Sequence, residues 1–210
     1  MDGRPRSPAV IDVRRAADRY RVEQPGITTW HCFSAGAYYD PDNVAFGRLI
    51  ACDEHLVSPG AGFDEHAHAG TELVSWVLDG TLAHSDGAGR RHLVRPGHAQ
   101  YQLTGSGIRH GEHNGSSLEP VRFVQLALLT DGEQRAYDVA VPPLTLSVGR
   151  FDVLTRCRSA RVDGSLVHLF VGRGNFHVAG VDLAVGDSVR AVGPLEIDGD
   201  GELLVVSVGA

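Results

Sequence analysis

Lysine is absent: all nineteen basic residues of this chain are arginine, and with abundant glycine, alanine and valine this reads as the codon bias of a GC-rich, bacterial genome. Cysteine is scarce. Cys32, Cys52 and Cys157 are odd in number, widely spaced and form no Cys-x-x-Cys pair, which argues against a disulfide framework and for a reducing cytosol. No stretch approaches eighteen consecutive apolar residues, so no helical membrane span is expected. The first eight residues, Met1 to Pro8, lack the apolar run of a secretory signal, and Arg14-Arg15 followed by Ala-Ala-Asp-Arg is no twin-arginine signal. A soluble, cytoplasmic protein is the expectation. Basic stripes are lacking too, and a formal net charge of −7 opposes the phosphate neutralisation that direct nucleic-acid binding needs.

What is present is a β pattern. The 210 residues, 42% of them hydrophobic, suffice for one substantial core or two small ones. From Phe46 onward, runs of Val, Leu, Ile and aromatics are broken by Gly, Pro, Asn and Asp roughly every ten residues, as in an all-β sandwich or barrel. The pattern predicts strands near residues 47–52, 73–78, 81–84, 92–95, 99–103 and 121–129. Asp79-Gly80 is the strongest hairpin turn signal, followed by Asp86–Gly89, Pro96-Gly97, Gly105-Ser106-Gly107 and Asn114-Gly115. The single helical candidate is Asp12 to Tyr20, and Glu54 and His55 fall in a polar stretch read as loop.

A weaker echo sets Gly80 against Gly174 and Pro96-Gly97-His98 near Val185-Gly186-Asp187. Two related β-barrels in tandem follow from it, an N-terminal domain of residues 1–130 and a C-terminal domain of 131–210. The same offsets place Ala160, Val162, Gly199 and Gly201 where the first copy has polar groups, so the second barrel is expected to be metal-free.

Those polar groups carry the chemistry. His66 and His68 lie two apart in Gly62–Glu72, and His110 and Glu112 lie two apart about forty residues later. Alternate residues of a strand share a face, so each pair aims two ligand atoms at one point, and two such pairs make a metal site. Nitrogen and carboxylate donors without thiolate suit iron(II), manganese, nickel or copper. Four unpaired polar side chains facing a barrel interior would otherwise be costly. His84, His92 and His98 lie on or beside hairpins and are read as exposed. His113 is read as a rim residue, Trp76 as core, and Cys52 as a small buried apolar residue.

Gly60-x5-His66-x-His68-x3-Glu72 resembles the first signature of the cupin superfamily, with its closing glycine, Gly80, one residue late. More closely, Phe33–Pro41, Val57–Phe63, His66-Ala67-His68 and Gly105–Glu112 resemble the pirin family, bicupins of two tandem antiparallel jelly-roll barrels with an active N-terminal one. The resemblance covers about Trp30 to Leu129. In cupins generally the carboxylate ligand would be Glu72; in pirins it follows the later histidine, so the resemblance implies His66, His68, His110 and Glu112 as ligands. Glu72 is then either a supporting group behind the ligands or a strand residue with a polar partner. Pirins usually carry Pro and Arg where this chain has Ala67 and Ala69, which weakens any charge-dependent regulatory role. The resemblance further implies a bound divalent ion, iron(II) first, with manganese, nickel, copper, cobalt or zinc as alternatives. It also implies a small phenolic or enolisable substrate and a quercetin 2,3-dioxygenase-like activity in which Glu112 is both ligand and base. The contrasting reading is an iron-dependent redox-sensing regulator acting through a protein partner.

Overall fold

A computed structural model describes residues 10–87 and 89–209; Ala88 of the expected Asp86–Gly89 turn lies outside the described residues. Regular structure is almost entirely antiparallel strand. The first strands are β1 (Val10–Arg14), β2 (Tyr20–Gln24), β3 (Ile27–His31), β4 (Leu49–Val57), β5 (Gly62–His68) and β6 (Thr71–Asp79). Next come β7 (Leu82–Asp86), β8 (Arg91–Val94), β9 (Ala99–Leu103), β10 (Ile108–Asn114), β11 (Val121–Leu129) and β12 (Ala136–Ala140). The last are β13 (Leu144–Thr145), β14 (Gly149–Val162), β15 (Leu166–Val178), β16 (Val181–Leu183), β17 (Ser188–Val192) and β18 (Leu195–Val208). Among the described residues no helix is long and apolar enough to cross a membrane.

Contacts divide the chain into two compact units, residues 18–148 and residues 149–209 with the described chain up to Ala17. The expected division lay at 130/131, and strand pairing accounts for the difference. β12 pairs with β9, so the chain past Thr130 still belongs to the first unit, whereas β1 pairs with β17 and joins the second. The Asp12–Tyr20 segment is accordingly not an α-helix: β1 covers its start and a short 3-10 turn, Ala16–Asp18, follows. Its apolar residues are too few to sustain an isolated helix, and a sheet edge was available to pair with.

In the 18–148 unit one sheet runs β12-β9-β6-β11-β4-β3-β2 and the other β5-β10-β7-β8. Ile27, Val57, Val77, Leu82, Val94, Val121 and Phe123 form a buried cluster in this unit. β6 is buried along its whole length except Asp79, as a central strand covered on both faces must be. Asp79-Gly80 does not close a hairpin. β6 lies between β9 and β11 while β7 lies between β10 and β8, so the turn carries the chain from one sheet to the other. Pro96-Gly97, Gly105–Gly107 and Asn114-Gly115 are crossings of the same kind, and Asp86–Gly89 alone of the expected turns joins two strands paired with each other. Turn residues fix local dihedrals, not the partner of the next strand. Gly80 is required on two counts: its φ is +76°, and a Cβ there would lie 2.4 Å from the Pro120 carbonyl oxygen.

β4 runs through to Val57, so Glu54 and His55 are strand residues, not loop. Both are buried because distant residues satisfy them. Arg19 and Arg122 hold the Glu54 carboxylate at 2.8 and 2.6 Å, and Thr29 Oγ1 lies 2.9 Å from His55 Nδ1. Burial, the dominant cause, pushes the His55 imidazole down to about 4. Its unfolded value is near 6.5, so between roughly pH 6.5 and 4 the unfolded chain binds more protons than the folded one, and stability falls with falling pH. The contribution is complete above pH 6.5 and its loss reaches at most about 3 kcal/mol near pH 4. Urea unfolding at pH 7 and pH 4.5 should show a smaller acid loss for His55→Gln than for the parent; equal losses would remove His55 from the acid response.

The 149–209 unit is built around three long strands, β14, β15 and β18, of 14, 13 and 14 residues. Val167, Leu169, Val171, Phe176, Val189, Ile197 and Leu203 belong to its core. The echo of Gly80 at Gly174 is partial: Gly174 has φ +73° but sits inside β15, just past a register shift between Val171 and Arg173. It bends one strand rather than ending it.

Candidate metal centre

His66 and His68 reside on β5 and His110 and Glu112 on β10, and these strands pair with His66 opposite His110 and His68 opposite Ile108. The register then shifts, so that Glu112 faces Phe63 and two residues, Asp64 and Glu65, stand against Gly111. That bulge resets the alternation: Phe63, His66 and His68 all turn inward although Phe63 and His66 are three apart. Gly111 leaves room for it, since a Cβ there would meet the Phe63 carbonyl oxygen and Ser85 Oγ at 3.2 Å.

The three imidazoles converge. One ring nitrogen from each of His66, His68 and His110 lies within 4.8 Å of the others, and His66 Nε2 and His110 Nε2 are 3.1 Å apart. Two nitrogens bound about 2.1 Å from one ion at a right angle are about 3.0 Å apart, so this spacing fits a shared divalent ion. The Asp64 carbonyl oxygen lies 2.8 Å from His66 Nδ1 and accepts its proton, which leaves the Nε2 lone pair for the ion. His110 is fully buried, and its imidazole is pushed down to about 3 by desolvation first and by His66, His68 and His84 second. His68 is lowered by burial and by His66. Neutral imidazole is the ligating form.

Glu112 is buried on the same face of β10, outside the 4.8 Å cluster. Gln125 Nε2 donates to both of its oxygens at 2.9 Å, and Ser75 Oγ and Gln100 Nε2 approach Oε1 at 3.4 Å. Gln100, Ser75 and Gln125 are directly opposite one another on β9, β6 and β11 and form one row across the facing sheet. Burial raises the Glu112 carboxyl, while Gln125, His66, Ser75 and Gln100 pull it back. Glu72 is no rival. Being three residues from Ser75 on an unbroken strand, it faces the other side of β6. There Tyr101 Oη donates to it at 2.7 Å, and Ser147 donates from N at 2.7 Å and Oγ at 2.8 Å. It is a strand residue with polar partners.

His84 corrects the sequence reading: it is buried, not exposed. It sits opposite Glu112 on β7, and its Nε2 is 3.1 Å from His110 Nδ1, with its own imidazole pushed down to about 4 by burial. A lone histidine on a hairpin gives little sign of this. The available signal was alternation, Leu82 and His84 sharing one face, matched by Gln100-x-Gln102 on β9. His92 and His98 are exposed as expected, and His113, 3.5 Å from Asp64, is a rim residue. Trp76 and Cys52 are core. A cavity of about 1180 Å³ opens beside the cluster, with His68, His84, Gln102 and Tyr137 among its walls. Tyr137, on the stretch assigned by sequence to the second domain, stacks on His84 at 4.8 Å and leans on His92 at 4.7 Å.

A strand-built unit with an open cluster of three imidazoles, and a buried carboxylate on the same strand face, has the donor set that a divalent ion requires. Residues 12–128 match the Pirin family, and the chain belongs to that family. It is 43% identical over 123 residues to a Mycobacterium tuberculosis protein provisionally named a quercetin 2,3-dioxygenase, covering 59% of this chain and 50% of that one. It is 33% identical over 136 residues to the quercetin 2,3-dioxygenase of Escherichia coli, covering 61% and 59%. The chain thus spans about half the length of the curated relatives it matches. Among solved structures, the bacterial pirin YhhW of Escherichia coli in complex with nickel(II) shares the fold with a TM-score of 0.84 at 24% identity, over 96% of this chain and all of that one. A quercetin 2,3-dioxygenase of Acinetobacter baumannii superposes with a TM-score of 0.72 at 15% identity, over 94% and 85%.

Proposed function

We propose that the chain is a pirin-type metal-dependent dioxygenase acting on a small phenolic or enolisable compound, a flavonol such as quercetin in the first instance. In this reading the 18–148 unit is the metal-binding barrel of a bicupin and the 149–209 unit its metal-free counterpart. His66, His68, His110 and Glu112 hold a divalent ion, iron(II) first. The carrying observation is the convergence of three imidazole nitrogens within 4.8 Å beside a cavity of about 1180 Å³. A relative crystallised with nickel(II) and relatives named for quercetin cleavage support the same reading.

A bound divalent ion supplies Lewis acidity toward a substrate hydroxyl. The chain's own residues do the rest. His66 and His110 keep their Nε2 atoms turned to one point, His84 steadies His110 from behind, and Glu112 stands ready to take the hydroxyl proton. The row of Gln125, Ser75 and Gln100 holds that carboxylate in one orientation, and its raised proton affinity suits an acceptor rather than a spectator. Half-buried His66 and His68 leave the opposite side accessible to substrate.

Aerobic incubation of the iron-loaded protein with quercetin should bleach the flavonol absorbance and release carbon monoxide. A metal-replete protein that leaves quercetin and other flavonols untouched would overturn the dioxygenase reading, and intact binding of a protein partner would then favour the redox-sensing regulator.

A further inference from the structure

The cavity beside the imidazole cluster has a mouth whose charge runs against that of the chain. Arg90, Arg109 and Arg135, all exposed, line it, with Asp86 the sole carboxylate among the described lining residues, although the chain carries a net charge of −7. Two of the guanidinium groups are already matched. Arg90 Nε lies 2.7 Å from an Asp86 oxygen, and Arg109 Nε lies 2.6 Å from an oxygen of Glu65. Arg135 differs. No carboxylate among the described residues pairs with it, and its Nη2 donates at 3.0 Å to the neutral hydroxyl of Ser106, a second residue of the same wall.

Strand pairing puts Arg135 there. β12 is held against β9, and Arg135 directly precedes it, so Arg135 and Tyr137 stand two apart and both face the cavity. Tyr137 stacks on His84, and His84 touches His110 of the ligand cluster. A line of contacts therefore leads from the metal centre to Tyr137, and Arg135 lies about 6.6 Å further along the strand, at the open end. By accepting from Arg135, Ser106 Oγ orients the guanidinium and keeps its own proton for another acceptor. The remaining guanidinium N–H groups and that hydroxyl proton are all donors. Such a set is complementary to a carboxylate, which accepts two N–H bonds from one guanidinium and meets its charge, whereas a neutral hydroxyl gains nothing from the charge.

We propose that Arg135 and Ser106 form a carboxylate-binding subsite at the mouth of the cavity, so that the substrate is an aromatic chelator that meets the ion at one end and carries an acidic group at the other. This rests on the proposed metal-dependent reading and narrows its substrate class to anionic compounds. Arg135 is the specificity residue, and Ser106 a positioning residue that aims it. The positive mouth also draws such an anion in from solution, an effect that weakens with added salt.

The test uses zinc-loaded full-length protein, so that no redox turnover occurs, with two probes that share the chelating group: 3-hydroxyflavone and its 4′-carboxylate. Titration followed by absorbance at low salt should show the carboxylate binding about fivefold to tenfold tighter, the range of a charge-assisted pair at a half-open site. The ratio should fall toward one near 1 M salt, where the Debye length is about 3 Å. Arg135→Gln should bring it to about one at low salt, while 3-hydroxyflavone affinity and zinc content stay at the parent value. Ser106→Ala should lower it partway. Arg91→Gln removes the same charge from the wall of a different pocket and should leave the ratio unchanged. A parent protein that binds both probes equally overturns the subsite, as do equal losses in Arg135→Gln and Arg91→Gln, which would reduce the preference to net charge. The metal reading fails separately: 3-hydroxyflavone would then bind alike with and without zinc, whereas the dependence of the ratio on Arg135 is measured in either form.

Discussion

His66→Ala and His68→Ala should each cost the protein most of its bound divalent ion, lowering affinity by more than about 100-fold, the upper range already reached when only a supporting partner of a ligand is lost. The expectation follows from how few donors meet. Three nitrogens lie within 4.8 Å of one another, and the carboxylate proposed to join them, Glu112, is engaged by Gln125 through both oxygens. With one imidazole gone, two nitrogens and a tethered carboxylate cannot surround the ion. Glu112→Ala should weaken binding less and abolish any oxygenase turnover. Elemental analysis after equilibrium dialysis against iron(II) under nitrogen, or against nickel(II) in air, measures the effect. Equal metal content in the parent and the three variants would refute the ligand assignment.

Glu54→Ala should lower the stability of the 18–148 unit by about 3–5 kcal/mol, the cost of stranding buried charges by removing their shared partner. The side chain of Glu54 is 6% exposed and that of Arg19 9%, with Arg122 at 22%. Arg19 also lies 6.0 Å over the Trp30 ring, so the Glu54 carboxylate adds a side-chain tie from β4 to the chain entering β2, beside the β2–β3 ladder. Replacing all three charges together, by Leu at 54 and Met at 19 and 122, should recover much of the loss, because desolvation of the triad consumes most of its Coulombic gain. Urea unfolding decides it: a loss below about 1 kcal/mol for Glu54→Ala would show that water screens the cluster as it screens surface pairs.

The two cases also mark what the sequence can and cannot disclose. That His66 and His68 share a face, and His110 and Glu112 likewise, is legible in the sequence because a period of two is a local property and each pair needs nothing beyond its own strand. Trp76 and Cys52 were legible as core for the same reason, lying in apolar strand runs. Glu54 and His55 were not, since what makes them buriable comes from Arg19, Thr29 and Arg122, far away in the chain. His84 was hidden likewise, its burial resting on the pairing of β7 with β10. Asp79-Gly80 announced a turn correctly, yet the dihedrals of two residues hold no information on which sheet receives the next strand. Tyr137 falls beyond the boundary at 130/131 that the sequence echo implies, whereas the pairing of β12 with β9 keeps that stretch in the first unit.

The bulge at Asp64–Glu65 has a bearing on how the spacing ahead of this site can vary. Deleting one residue between Phe63 and His66 would remove the bulge and leave those two residues two apart, so ordinary alternation would still turn both imidazoles inward against His110. The extra residue therefore works as slack ahead of the His-x-His pair, and relatives one residue shorter there would keep the same inward grip on a straighter strand.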